Sequence, residues 1–538
     1  MIRNPRLDVL LTIVFLAAIP ALAVALQKPP AVVAATAPLT EFSAIRAKVY
    51  VERIAQRPHP SDSPESAKVR AYLFGEMTRL GLKPELITTE KNPSKTLIGM
   101  LPGKVKTRQA LMLSAHYDSM PEAPGAGDDA AGVAAILETV RALEAGPPLE
   151  NDLVILFTDG EEAGLNGANA YSATRRENRH VSLVLNFEAR GSRGPSTMFE
   201  TSSNNGWMIR QFAQAAPFPM ASSLTDAVYQ EMPNRTDLTV FKNTGIDGMN
   251  FAFIDGYENY HQPTDTVENL DLRSLQHHGS YALALARRFG NLDLTLADSE
   301  ADATYFSVLG PHLIVYPMRF AIPLMVASMV GYGIVMMLGL MKKRLTEREV
   351  IHGAFVGLLA VVLATITTYG IWRAIAWGRP LGAKGQGTPE IAVGLLILGL
   401  IVPILTYGIL RRKRNRAALV MGGMFVWLVL TVYMTLRLPG GSYLFVWPML
   451  FGLIAMAVSL LSKHEDGPVA RGAFAIGALP ALILWPPTLQ SLCAALGPSA
   501  PFVPAAIASL LILVLVPLVL GLFGRPISRE TQPPHASA

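Results

Sequence analysis

The hydrophobic pattern changes character twice along the chain. Residues 9–26 (VLLTIVFLAAIPALAVAL) form an uncharged apolar stretch behind Arg3 and Arg6. At about 18 residues it is close to the ~20 that cross a bilayer as a helix, and it predicts a retained signal anchor; small residues from Ala21 to Ala25 leave cleavage open. A Pro/Ala-rich connector runs from Lys28 to Leu39. From Thr40 to Ala297, apolar runs bounded by polar turns alternate with helical periodicity. ALMLSA (110–115), DLVILFT (152–158), SLVLNF (182–187) and MNFAFI (249–254) read as buried strands. AAGVAAILETVRALEA (130–145) repeats its apolar residues at helical spacing, and further helices are expected at 65–81 and 271–290. This alternation predicts an α/β domain with a mixed, mostly parallel sheet sandwiched by helices.

The last third reads differently. Seven apolar spans, near 320–341, 353–372, 391–410, 418–436, 443–462, 472–495 and 502–524, contain no Asp, Glu, Lys or Arg, and each is close to the ~20 residues a crossing helix needs. They predict an all-α polytopic membrane domain. The expected organisation is an anchor and linker (1–39), a globular domain (40–297), a connector (298–319), the seven-span domain (320–524) and a tail (525–538).

Charge orients these spans. The loops after the first, third, fifth and seventh carry Lys342, Lys343, Arg344, Arg348, Arg411, Arg412, Lys413, Arg414, Arg416, Lys463, Arg471, Arg525 and Arg529. The alternate loops carry only Arg373, Arg379, Lys384 and Arg437. The bias predicts a cytoplasmic C-terminus and a 40–297 domain on the opposite side, periplasmic or lumenal, and Arg3 and Arg6 demand the same arrangement. Composition agrees with a membrane class: 51% of residues are hydrophobic and 16% charged. The formal charge of +5 lies in short clusters between apolar runs, a topology signal that gives no nucleic-acid face. The lone Cys493 lies in an apolar segment, so no intrachain disulfide, CxxC metal site or catalytic cysteine is available to the globular part.

Metal-ligand residue types follow the predicted strands. ALMLSA runs into His116-Tyr117-Asp118, and PGAGDDAAG presents Asp128 and Asp129 at the start of the next helix. DLVILFT runs into Asp159-Gly160-Glu161-Glu162, SLVLNF into Glu188, and the loop after MNFAFI holds Tyr260-His261-Gln262-Pro263-Thr264-Asp265-Thr266. In open α/β sheets the carboxyl ends of the strands converge, so residues distant in sequence meet there. Two zinc ions about 3.5–4 Å apart repel, and a bridging carboxylate with further anionic ligands offsets that repulsion. Two His and three carboxylates supply the mixed N/O ligation zinc accepts. Of the adjacent Glu161 and Glu162, one is free to accept a proton while the other binds metal.

The order His116-x-Asp118, Gly-Asp128-Asp129-Ala-Ala-Gly, Asp-Gly-Glu161-Glu162-Ala-Gly, Asn-Phe-Glu188 and His261-Gln-Pro-Thr-Asp265-Thr resembles the co-catalytic zinc exopeptidases typified by aminopeptidase Y and bacterial leucyl aminopeptidase. The resemblance covers roughly residues 60–290. The multi-span tail is similar to the branch holding vacuolar membrane protease and endoplasmic-reticulum metallopeptidase. It implies a membrane-anchored aminopeptidase that binds two Zn²⁺ and hydrolyses peptides away from the cytoplasm. Asp128 would bridge the metals through a cis peptide to Asp129, Glu162 and His261 completing one site, His116 and Glu188 the other. Asp118 would orient His116. Glu161 would be the general base for the bridging water, and Tyr260 a donor to the oxyanion. Many soluble relatives carry Asp where this chain has Glu188, and the membrane-bound branch looks similar to this chain here.

Other readings accompany these. Asp128-Asp129 alone would be a charged helix N-terminus, and Asp265 and Thr266 could be turn residues or could support the ligands from behind. His277 and His278 read as surface positions on a helix, and Asn234-Arg-Thr236 as a chance sequon. Arg190 could bind a substrate carboxylate or balance the acidic cluster. Among functions, a glutaminyl-cyclase-like transferase, a non-catalytic receptor or scaffold and a transporter stand against the peptidase. The presence of His116, the full ligand set and the absence of ionisable residues in the spans weigh against each in turn. Residue preference and oligomeric state are not written in the sequence.

Overall fold

The computed structural model describes residues 5–89, 92–105, 109–174, 181–377, 389–411, 415–464, 467–496 and 500–522. Arg3, Arg379, Lys384, residues 412–414 and the tail 525–538 lie outside the described residues, as does the side chain of Arg6. Val24–Ala321 together with Arg437–Ser442 form one compact unit, and the remaining described segments form a second.

The first unit is built on a seven-stranded sheet ordered β1-β2-β4-β3-β5-β7-β6. Its members are β1 (Glu85–Thr89), β2 (Asn92–Leu101), β3 (Ala110–His116), β4 (Asp152–Thr158), β5 (Val181–Ala189), β6 (Thr197–Thr201) and β7 (Asp247–Phe253). The four expected strands β3, β4, β5 and β7 pair in parallel, while the pairings β1–β2, β2–β4 and β6–β7 that flank them are antiparallel. The parallel strands read as continuous apolar runs because both faces are covered. Alternate residues separate cleanly. Leu111, Leu113, Leu153, Ile155, Leu183 and Leu185 share a core with α2 (Ala44–Ile54), α3 (Pro64–Arg79), α4 (Ala131–Glu144), α6 (Gly206–Ala215) and α9 (Leu272–Phe289). Met112, Val154, Leu156 and Val184 face the opposite core, with Ala168 and Tyr171 of α5 (Asn166–Thr174) and Leu238 and Phe241 of α8 (Asp237–Asn243). The predicted helices at 65–81, 130–145 and 271–290 are α3, α4 and α9. Beyond the sheet lie α7 (Ser223–Glu231) and a hairpin of β8 (Ala303–Val308) and β9 (His312–Pro317).

Register decides where chemistry gathers. His116 pairs with Thr158, Ser114 with Asn186, and Glu188 with Ala252. The carboxyl ends of β3, β4, β5 and β7 therefore open on one edge, each followed by a segment carrying a predicted site residue.

Eight helices among the described residues are long and apolar enough to cross a membrane. They are α1 (Pro5–Ala25), α10 (Ala321–Met341), α11 (Glu347–Trp377), α12 (Pro389–Leu410), α13 (Arg416–Arg437), α14 (Tyr443–Leu461), α15 (Pro468–Leu496) and α16 (Phe502–Leu522). They correspond to the N-terminal stretch and the seven spans. Small residues let them approach closely: a Cβ on Gly422 of α13 would lie 2.2 Å from the Ala354 nitrogen of α11. Buried indole N–H groups find backbone partners, Trp427 donating to the Phe445 carbonyl and Trp485 to that of Leu444, both at 2.9 Å. Asp8 of α1 pairs with Arg471 of α15 at 3.0 Å.

Candidate metal centre

Each segment at the open edge of the sheet is held by its own backbone. After β4, Gly160 turns with φ 77°, a conformation that suits a residue without Cβ, and it releases Glu161 and Glu162 toward β3. Asp118 receives them: its carboxylate accepts the N–H groups of Glu161 at 3.1 Å and Glu162 at 3.3 Å. The same carboxylate lies 3.5 Å from His116 Nδ1, which also faces the Asp118 carbonyl at 3.0 Å. Asp118 therefore fixes both the His116 ring and the Glu161-Glu162 backbone.

A single wide helical turn, Ala126–Ala130, precedes α4, and the Asp128-Asp129 peptide within it is cis. The two aspartates divide their work. Asp129 accepts the N–H groups of Gly132 at 3.0 Å and His116 at 3.3 Å, so its carboxylate caps the helix although it lies near His116 and Glu188. Asp128 projects into the site. Its Oδ1 is 3.1 Å from His116 Nε2 and its Oδ2 is 3.2 Å from His261 Nε2. Asp265 accepts the Gly127 N–H at 2.8 Å and the Asp128 N–H at 3.2 Å, which settles the open reading of Asp265 in favour of a partner to the site. His261 itself has φ 57°, a left-handed conformation uncommon outside glycine.

Two groups of side chains that could hold a cation result: Asp128, Glu162 and His261 form one, and His116, Asp129 and Glu188 the other. Glu188 Oε2 is 3.6 Å from His116 Nε2, and Asn186 Nδ2 donates to its other oxygen at 2.9 Å. His261 Nε2 and Glu162 Oε1 are 3.1 Å apart, yet neither makes a hydrogen bond. Two buried polar atoms left this way fit a shared cation. Electrostatics agree. Burial pushes Glu188 up to about 8, and burial, then its neighbour Glu188, holds Glu161 well above the ordinary carboxylate range. Burial, then Asp128, raises Glu162. Burial also opposes ionisation of Asp128, but the His116 and His261 imidazoles pull it down to about 2. A crowd of carboxylates this dry needs positive charge among them, and the N/O donor set suits zinc.

Tyr260 stacks on His261 with ring centroids 3.7 Å apart, and burial raises its phenol so that it stays a proton donor. All eight predicted site residues thus gather at one edge. The sequence reading missed Asp237, fully buried at the start of α8, whose carboxylate accepts from Thr158 Oγ1 while its Oδ1 has no hydrogen-bond partner. Its only sequence signal was Thr236-Asp237 opening a short helix with a capping box. His277 and His278 are not surface residues. Both are buried in α9, His277 against the Ser196 N–H and Phe218 carbonyl, His278 between Phe187 and Phe253.

Residues 96–286 match the profile of peptidase family M28. The chain is similar to endoplasmic reticulum metallopeptidase 1 of Rattus norvegicus, 29% identical over 55% of this chain and 36% of that protein. It is also similar to vacuolar membrane protease of Candida dubliniensis, 26% identical over 48% of this chain and 30% of that protein. The chain thus spans about a third of the length of these curated relatives. Among solved structures it is similar to an aminopeptidase from Aneurinibacillus sp. strain AM-1, at 15% identity and a TM-score of 0.39 over 46% of this chain and 95% of that one.

Proposed function

We propose that this chain, which carries a peptidase family M28 domain over residues 96–286, is a membrane-anchored two-zinc aminopeptidase acting on peptides outside the cytoplasm. One observation carries the reading: the two oxygens of Asp128 face two different histidines, at 3.1 and 3.2 Å, each with its own further carboxylate. Asp128 would be shared between two ions, with Glu162 and His261 holding one and His116 and Glu188 the other, which this geometry supports.

Held by these residues, zinc would supply Lewis acidity for the scissile carbonyl and for an attacking water near neutral pH. Glu161 is the general base: it takes a proton from water and returns it to the leaving amine. Its raised proton affinity suits a group that must both accept and release. Asp118 keeps Glu161 at the site through its backbone, and the Tyr260 hydroxyl donates to the developing oxyanion.

The charge bias between loops supports a domain facing away from the cytoplasm.

The test uses the full chain in detergent with zinc. Wild type should hold two zinc per chain and cleave aminoacyl substrates while rejecting N-blocked ones. Glu161→Gln should keep the metal and lose about 10²–10⁴-fold in kcat. Full activity of Glu161→Gln would remove the base assignment, and cleavage of N-blocked peptides would remove the aminopeptidase assignment.

A further inference from the structure

Directly after Glu188 the chain reads Ala189-Arg190-Gly191-Ser192-Arg193. The two arginines behave differently. Arg193 pairs with Glu258 at 2.7 Å and is consumed. Arg190 makes no ion pair and no side-chain hydrogen bond among the described residues, although it stands beside a cluster of carboxylates. Its guanidinium lies over the Tyr260 ring, 5.9 Å from the centroid, and that ring stacks on His261. So loose a cation–π contact leaves the guanidinium's fork of N–H donors open to a planar anion. An arginine serving only to neutralise the acidic cluster would touch one of its members.

The backbone holds Arg190 in place. Its N–H donates to the Phe253 carbonyl at 3.0 Å, and the Ser192 N–H to that of Asp255 at 3.1 Å. The Gly191 carbonyl is so near the turn bearing Asp128 that a Cβ on Gly127 would lie 2.5 Å from it. Arg190 is thus a half-exposed, preorganised cation one aromatic ring away from His261. The path through the Tyr260 ring puts the guanidinium at most about 10 Å from the His261 ring, a span that one or two residues beyond a scissile bond, at about 3.5 Å each, reach with a hydrogen bond of about 3 Å at the end.

We propose that Arg190 binds the free α-carboxylate of short substrates, so that the enzyme favours di- and tripeptides with an unblocked C-terminus. The inference rests on the aminopeptidase reading and names the substrate class of that site. The guanidinium fork matches a carboxylate bidentately. A C-terminal amide offers one acceptor and no charge.

The test compares an alanyl tripeptide as free acid and as C-terminal amide, both with free N-termini, on the full-length zinc-loaded protein. The acid should exceed the amide in kcat/KM by about tenfold, carried by KM, as one charge-assisted pair allows. Arg190→Gln should bring that ratio toward one by raising KM for the acid, and Arg190→Lys should keep part of it. Calorimetry in the Glu161→Gln background, which reads binding without turnover, should show the same acid-over-amide preference and its loss on adding Arg190→Gln. A wild-type ratio near one, or a ratio that Arg190→Gln leaves unchanged while slowing both peptides, overturns the anchor and leaves the aminopeptidase reading standing. Wild type that holds zinc yet cleaves neither peptide overturns both.

Discussion

Asp118 Oδ1 accepts the backbone N–H of Glu161 at 3.1 Å, which ties the residue that orients His116 to the residue proposed as base. Its second oxygen takes the Glu162 N–H, so one buried carboxylate carries three duties. Asp118→Ala should therefore damage both metal retention and turnover. We expect zinc affinity to fall about 10–100-fold, the usual cost of losing a group that supports a ligand. With zinc restored by excess metal, kcat should stay depressed because Glu161 has lost its tether. Chelator competition and kinetics at saturating zinc separate the two effects. Recovery of full kcat by zinc alone would confine Asp118 to the His116 side.

Asp265 does for Asp128 what Asp118 does for Glu161. It receives the amides of Gly127 and Asp128, and burial, offset by those bonds, pushes it up to about 7. Asp265→Asn keeps one acceptor and turns an amide NH₂ toward a backbone N–H. The unmatched donor should cost about 1–3 kcal/mol. We expect a lower thermal midpoint together with weaker zinc binding in the Asn variant. An unchanged midpoint would mean that this turn is held by something else.

The parts that were legible in the sequence share a physical cause. Strands buried on both faces are continuous apolar runs, and His116, Glu161, Glu162 and Glu188 sit at or just beyond their ends, so fold and site were read from one pattern. The membrane helices were legible because lipid enforces composition over about twenty residues. The antiparallel strands were not. β1 (ELITT) is mostly exposed, β2 is largely buried yet interleaves polar Ser94, Lys95 and Thr96 with its apolar residues, and the hairpin of β8 and β9 has a solvent-facing strand. His277 and His278 were misread because a polarity pattern counts imidazole as polar, whereas these rings are neutral and packed among aromatics. Asp237 gave no signal, since its importance comes from meeting Thr158 across 79 residues of sequence.

The buried histidine pair makes the fold acid-sensitive. Burial depresses His277 to about 4 and His278 to about 3, from the ordinary 6.5. Between those values and 6.5 the unfolded chain binds protons that the folded one refuses. Stability from the pair is therefore fully present above about pH 6.5 and is lost as pH falls toward 4, at up to about 1.4 kcal/mol per pH unit for each ring. The thermal midpoint of the full chain should drop from pH 7 to pH 5, and His278→Gln should shrink that drop. Metal loss on acidification affects both proteins alike, so the difference between them isolates the ring. Equal drops would show that the pair does not govern the acid response.

The geometry around Glu188 suits a side chain of this length. Its Cα is fixed by pairing with Ala252, its Oε1 receives Asn186 Nδ2 at 2.9 Å, and its Oε2 stands 3.6 Å from His116 Nε2. An Asp here retracts the carboxylate by one C–C bond, roughly 1.5 Å, too far to keep both relations. Glu188→Asp should therefore weaken the site with His116 and spare the site with Glu162 and His261. Zinc titration against a chelator should resolve one tight and one weak ion, the weak one reduced about 10–100-fold, where wild type binds two tightly. Asn186→Ala should give a smaller loss, because it frees the carboxylate without shortening it. Two equally tight ions in Glu188→Asp would show that Glu188 is not a ligand and would hand the His116 site to Asp128 and the neighbouring Asp129.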